Sequence, residues 1–120
     1  TVDFQNAKSG NTRHIPLNTQ AFNVLSDWQK LSGNIGYVFK DSNQQRILDF
    51  RYDWAALLED ASITDFRFHD LRHHFASKLV MASVDLNTVR ELLGHSDLKM
   101  TLRYAHLAPE HKAAAVNLIG

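Results

Sequence analysis

Two stretches of this sequence carry more polar chemistry than packing alone requires. The first is Phe68-His69-Asp70-Leu71-Arg72-His73-His74-Phe75-Ala76-Ser77. On a helix, His69 and Arg72 are three residues apart and share a face. Leu71, Phe75 and Leu79 are expected on a different face, toward the core. An imidazole aimed alongside a rigid, planar guanidinium fork suits a tetrahedral oxyanion such as phosphate. The second stretch runs from Leu92-Leu93-Gly94-His95 through Ser96-Asp97-Leu98-Lys99-Met100 to Thr101-Leu102-Arg103-Tyr104-Ala105-His106. His95 follows a glycine placed to stop a helix, and Tyr104 falls on the next one. Taken singly these residues are ambiguous. A lone surface Arg or His is usually just solvated, and a lone tyrosine is usually a half-buried core residue.

The elements that must position them read as follows. Val2 and Phe4 alternate with polar neighbours, Ile15 and Leu17 do the same, and Ala7-Lys8-Ser9-Gly10-Asn11 lies between. This predicts a β-hairpin with Lys8 near its tip. Ala21, Val24, Leu25, Trp28 and Leu31 then recur at helical spacing, with Asn18 or Thr19 to cap the start and Gly33 to stop it. Tyr37 to Phe39 reads as a short strand before the polar turn Asp41-Ser42-Asn43-Gln44. A second helix fits from about Asp49 to Ala61, with Phe50, Trp54, Leu57 and Leu58 inward. A third fits from His69 to Ala82 on the stripe Leu71, Phe75, Leu79 and Ala82. Asp85 caps a short helix through Val89, Leu92 and Leu93 that ends at Gly94. Another runs from Ser96 or Asp97 to about Ala105, and Pro109 opens the last. The expected class is mainly α with a small β-hairpin, α+β, in a single domain over residues 1–120.

Composition bounds the function only loosely. The 120 residues are 44% hydrophobic and 22% charged, which suits one folded domain and argues against disorder. Thirteen Lys and Arg balance thirteen Asp and Glu, so net charge does not advertise nucleic acid, and any DNA contact must rest on local residues. Without cysteine there are no disulfides or thiolate metal sites, which fits a reducing cytoplasm. No run of about 18 apolar residues exists, so no membrane helix is expected. The sequence opens within a strand-like segment and not on Met, as a piece cut from a longer protein would.

In combination the motifs are specific. His69-x-x-Arg72, then Leu92-Leu93-Gly94-His95, then Thr101-x-x-Tyr104-x-His106 resembles the signature of the tyrosine recombinases, the phage-integrase family. The hairpin lysine matches as well, since that family carries a catalytic lysine in an upstream hairpin turn, where Lys8 stands. The resemblance covers nearly the whole chain. It implies the catalytic-domain fold of the family, truncated at its N-terminus. A further family arginine, in a helix before the hairpin, and the preceding DNA-binding domain are expected to lie upstream. None of Arg13, Arg46, Arg51 or Arg67 takes that arginine's place in motif order. The resemblance therefore implies an active recombinase for the parent protein, and the piece alone is expected to be inactive.

The resemblance also implies the chemistry. Tyr104 attacks a DNA phosphodiester to give a 3′-phosphotyrosine and a free 5′-hydroxyl, and a partner strand reverses the step. A phenol of pKa about 10 needs its proton taken as it attacks, and His69 is the family's candidate for that task. Arg72 and His95 hold the non-bridging oxygens, and Lys8 protonates the leaving oxygen. No metal or other cofactor is called for. The implied partner is double-stranded DNA, bound as a homo-oligomer, a tetramer in the complete protein. The C-terminal helix, with Val116, Leu118 and Ile119, docks on a neighbouring copy or on its own core. Phage or mobile-element integration is the expected setting.

Other polar residues are expected to play lesser parts. Asp70 caps the first turn of its own helix, His73 is structural or supports the site from behind, and His74 is peripheral. His106 has no chemical role, and Ser77 and Lys99 belong to a solvated face. Two alternatives stay open. His69-Asp70-Leu71-Arg72-His73 is one substitution from HExxH, a zinc hydrolase motif, though Arg72 beside the ligands would repel a dication. The family fold can also serve as a non-catalytic DNA-binding or assembly module.

Overall fold

In the computed structural model, the structure describes the backbone of residues 2–4 and all of residues 13–120. The chain divides into two units, residues 1–65 and 66–120.

The first unit opens with the expected hairpin strands. β1 (Val2–Phe4) pairs antiparallel with β2 (Arg13–Ile15), in the register Val2–Ile15, Asp3–His14 and Phe4–Arg13. Lys8 lies outside the described residues. α1 (Thr19–Ser32) starts where Asn18 accepts from the Ala21 amide at 2.8 Å and ends at Gly33, whose φ of 82° a side chain would resist. The strand expected at Tyr37–Phe39 does not form. That stretch bends instead, and the indole of Trp28 donates to the Val38 carbonyl at 2.7 Å. Beyond it, Lys40 and Arg46 form an isolated bridge around a turn that Asp41 closes, its carboxylate accepting from the Asn43 and Gln45 amides. α2 (Arg51–Asp60) shows no fully buried residue, and of its four expected inward positions only Trp54 and Leu58 are half-buried.

The second unit holds the buried core and all the remaining motif residues. α3 (Asp70–Met81), α4 (Leu86–Leu93) and a 3-10 helix (Thr101–Leu107) pack on one another, and α5 (Lys112–Asn117) follows. Ala76, Val80, Val89, Leu93 and Tyr104 are buried, with Leu79, Val84, Leu86 and Leu107 packed around them. The burial corrects the expected face of α3. Leu71 and Phe75 are each 45% exposed and Ala82 is exposed, whereas Ala76 and Val80 are sealed. At 100° per residue, His69, Arg72, His73, Ala76 and Val80 fall on one side of the helix. Arg72 and His73 therefore lie on the packed face of α3, continuous with the core, and exposed His69 stands at its N-terminal end.

The helix expected from Ser96 or Asp97 to Ala105 is also different. The Asp97 carboxylate accepts from the Lys99 amide at 2.9 Å, a local turn that competes with helix, and regular structure starts only at Thr101. With three residues per turn in a 3-10 helix, Thr101, Tyr104 and Leu107 stack along one edge, and that edge is the inward one. Pro109 does not open the last helix, which begins at Lys112 after the Glu110 carboxylate accepts from the Lys112 amide.

Candidate functional site

The end of α4 fixes His95. Asp85 caps the start of the helix, accepting from the Thr88 amide at 2.9 Å. At the other end Gly94 adopts a left-handed φ of 74°, which turns the chain back on itself. The His95 amide reaches the Arg90 carbonyl and the Gly94 amide reaches that of Glu91, each at 3.1 Å. This is a Schellman closure, and it sets His95 at a defined place just beyond the helix. Arg90 adds a second hold, its guanidinium donating to the His95 carbonyl at 3.2 Å.

A helix end also leaves carbonyls without partners. One of them, that of Leu93, accepts from the guanidinium of Arg72 on α3. The contact brings Arg72 beside the His95 turn. The His95 imidazole is held in turn by Thr101, whose hydroxyl oxygen lies 2.8 Å from Nδ1. Thr101 is fully buried, so this hydroxyl has no access to water to replace the contact. Partial burial, followed by the positive charges of Arg72 and Arg103, holds the His95 pKa below its ordinary value, against a smaller opposing pull from Asp97. Both effects favour the neutral imidazole of His95.

Tyr104 is 7% exposed, and its hydroxyl lies 2.5 Å from Nδ1 of His73. The ring of His73 meets that of His69 edge-on, with centroids 5.0 Å apart. His69 is exposed and Arg72 half-buried. Four of the expected residues, Arg72, His95, Tyr104 and His69, are thus connected by side-chain contacts and by the 3-10 edge that Thr101 and Tyr104 share. Arg72 reaches the turn that carries His95, His95 reaches Thr101, Thr101 shares a helical edge with Tyr104, and Tyr104 returns through His73 to His69.

Asp70 corrects one expectation. Its carboxylate accepts from the Arg67 amide at 2.8 Å, closing the turn that leads into α3, while His69 at the helix start makes no side-chain cap. Thr101, read from the sequence only as part of the Thr101-x-x-Tyr104 motif, stands one 3-10 turn before Tyr104, and His73, expected to be structural or to support the site from behind, makes the contact to the phenol. The zinc alternative needs a ligand beyond His69 and His73. Among the described residues no group of three His, Asp or Glu side chains is placed to share a metal ion. No described helix is long and apolar enough to cross a membrane.

Comparison with known proteins gives a consistent picture. The sequence pattern of the phage integrase family matches residues 1–111. The chain is 39% identical to the integrase of Salmonella phage P22 over 121 residues, covering 89% of this chain and 30% of that protein. It is 35% identical to the tyrosine recombinase XerC of Xanthomonas axonopodis pv. citri, covering 88% of this chain and 36% of the relative. Its structure is similar to the catalytic domain of bacteriophage HP1 integrase, with a TM-score of 0.72 and 31% identity, over 97% of this chain and 62% of that one. The chain spans about a third of the length of the curated relatives it matches.

Proposed function

The chain belongs to the phage integrase family, and on that premise we propose that it carries the strand-transfer chemistry of a site-specific DNA recombinase, with Tyr104 as nucleophile. The observation that carries the proposal is the contact chain in the second unit. It links a phenol, three imidazoles and a guanidinium by way of the backbone turn after α4 and the 3-10 helix.

Each group meets a requirement of phosphoryl transfer. The Tyr104 oxygen attacks phosphorus, and a 3′-phosphotyrosine conserves the energy of the broken bond until a second strand's 5′-hydroxyl reclaims it. Charge builds on the non-bridging oxygens as phosphorus gains a fifth ligand, and Arg72 faces it with a fork whose position the Leu93 carbonyl fixes. His95 contributes as a neutral donor. In this reading Nδ1, 2.8 Å from the Thr101 hydroxyl, is the acceptor, which leaves the proton on Nε2 for a phosphate oxygen. The resemblance gives the phenol's proton to His69 and the protonation of the departing 5′-oxygen to Lys8.

The same proposal has double-stranded DNA as partner, in the cytoplasm, with several copies assembled on it. α5 is then the element exchanged between copies, since Val116 within it and Leu118 and Ile119 just after it are 65%, 86% and 89% exposed. The test is a nicked duplex whose cut strand diffuses away once cleaved. Protein from the complete reading frame that encodes this chain is expected to remain covalently attached to the duplex, and Tyr104→Phe to leave none attached.

A further inference from the structure

The hydroxyl oxygen of Tyr104 lies 2.5 Å from Nδ1 of His73. Both lie against the core, where water competes poorly for the phenol's proton. His69, to which the resemblance assigns the role of base, touches the ring of His73 and is itself exposed. The order running outward from the core is Tyr104, His73, His69.

We propose that His73 is a catalytic residue: its Nδ1 takes the Tyr104 proton while the phenol oxygen bonds to phosphorus, which leaves His69 to face the phosphate. The inference rests on the reading of Tyr104 as nucleophile. The acceptor must be the neutral imidazole with its own proton on Nε2, so that the Nδ1 lone pair receives the Tyr104 hydroxyl. In the forward step the phenol O–H bond breaks toward Nδ1, the Oη–P bond forms and the P–O5′ bond breaks. The departing oxygen takes a proton from a separate acid, the part proposed for Lys8. In rejoining, a 5′-hydroxyl gives its proton back to that separate group as the P–O5′ bond forms, the Oη–P bond breaks, and the His73 imidazolium returns its proton to the phenol oxygen. Proton transfer to Nδ1 and attack on phosphorus proceed together, so no free phenolate is formed.

The titratable and charged groups that the packed elements bring to this region are His69 and Arg72 from α3, Tyr104 and Arg103 from the 3-10 helix, and His95 after α4. A pH profile must therefore be read by variant. Using protein from the complete reading frame on the nicked duplex, single-turnover attachment is measured from pH 6 to 9.5. His73→Ala is expected to lose about 10²- to 10⁴-fold at pH 7, to recover as the pH climbs toward that of the free phenol, and to be partly restored by added imidazole. His73→Gln keeps a partner for the hydroxyl without basicity, and it is expected to show the same profile if the fold is intact. Nitrogen NMR of the imidazoles in the unmutated protein gives a reading independent of folding of the variants: Nδ1 of His73 unprotonated, Nε2 protonated. A wild-type rate in His73→Ala, a loss equal at every pH and unmoved by imidazole, or a proton on Nδ1 overturns the assignment while Tyr104 stands. If the unmutated protein forms no Tyr104-dependent attachment, the nucleophile reading falls and this proposal with it.

Discussion

The guanidinium of Arg72 donates to the backbone carbonyl of Leu93, joining the packed face of α3 to the C-terminal end of α4. The carbonyl is available because a helix end leaves its last acceptors without intrahelical donors, and Leu93 is itself sealed in the core, 2% exposed. A single contact thereby ties the position of a cation to the stability of the fold.

Lysine cannot reproduce that arrangement, since a point charge on a flexible stem lacks the planar fork that reaches a carbonyl and an oxyanion together. Arg72→Lys is expected to reduce the rate of covalent attachment to DNA by about 10²- to 10³-fold, the usual cost of one lost charge-stabilising donor. Single-turnover assays with DNA affinity measured in parallel check this, and most of the loss should lie in the rate.

Thr101→Val keeps the shape of a fully buried side chain and removes the hydroxyl that holds His95. Stability is expected to fall by about 1 kcal/mol, the typical net worth of one hydrogen bond. Thr101→Ser should keep both the tautomer of His95 and the activity. Nitrogen NMR of the His95 ring reads the tautomer directly, and a ring unchanged by Thr101→Val would remove Thr101 from the account.

His95 also makes stability depend on pH. Its pKa in the folded chain is lowered, chiefly by burial, so the unfolded chain binds more protons wherever the two states differ. The stabilising contribution is therefore complete above the unfolded value of about 6.5 and is lost as pH falls through the folded one. Denaturant midpoints are expected to drop between about pH 7 and pH 5, and His95→Gln should flatten part of that slope.

Packing predicts a contrast between two leucines. Leu93→Ala empties a sealed position and is expected to cost about 2–5 kcal/mol, whereas Leu71→Ala, at 45% exposure, should cost well under half as much. Urea titrations of the two variants compare them. Near-equal losses would mean that α3 buries its other face.

Much of this was legible in the residues because local rules decide it. Asn18, Gly33, Asp85 and Gly94 mark helix ends, and each does so through its own side chain or backbone angle. The hairpin pairing followed from alternation on either side of a glycine turn. The face of α3 did not, because Leu71 and Phe75 outweigh Ala76 and Val80 in apolar bulk, and only tertiary packing shows which side the neighbouring helices cover. The 3-10 geometry was hidden for a similar reason. A three-residue spacing puts Thr101 and Tyr104 on one face of either helix type, so the sequence did not show that the element is 3-10. His73 followed from neither spacing nor motif, and its contact with the phenol depends on how two elements meet.

The identity of the attacking residue admits the most direct measurement. Protein from the complete reading frame is trapped on a nicked duplex and digested, and the peptide that carries the nucleotide is sequenced by mass spectrometry. The account predicts one modified residue, Tyr104, joined to a 3′-phosphate. Nucleotide on any other side chain, or strand cleavage that persists in Tyr104→Phe, contradicts it.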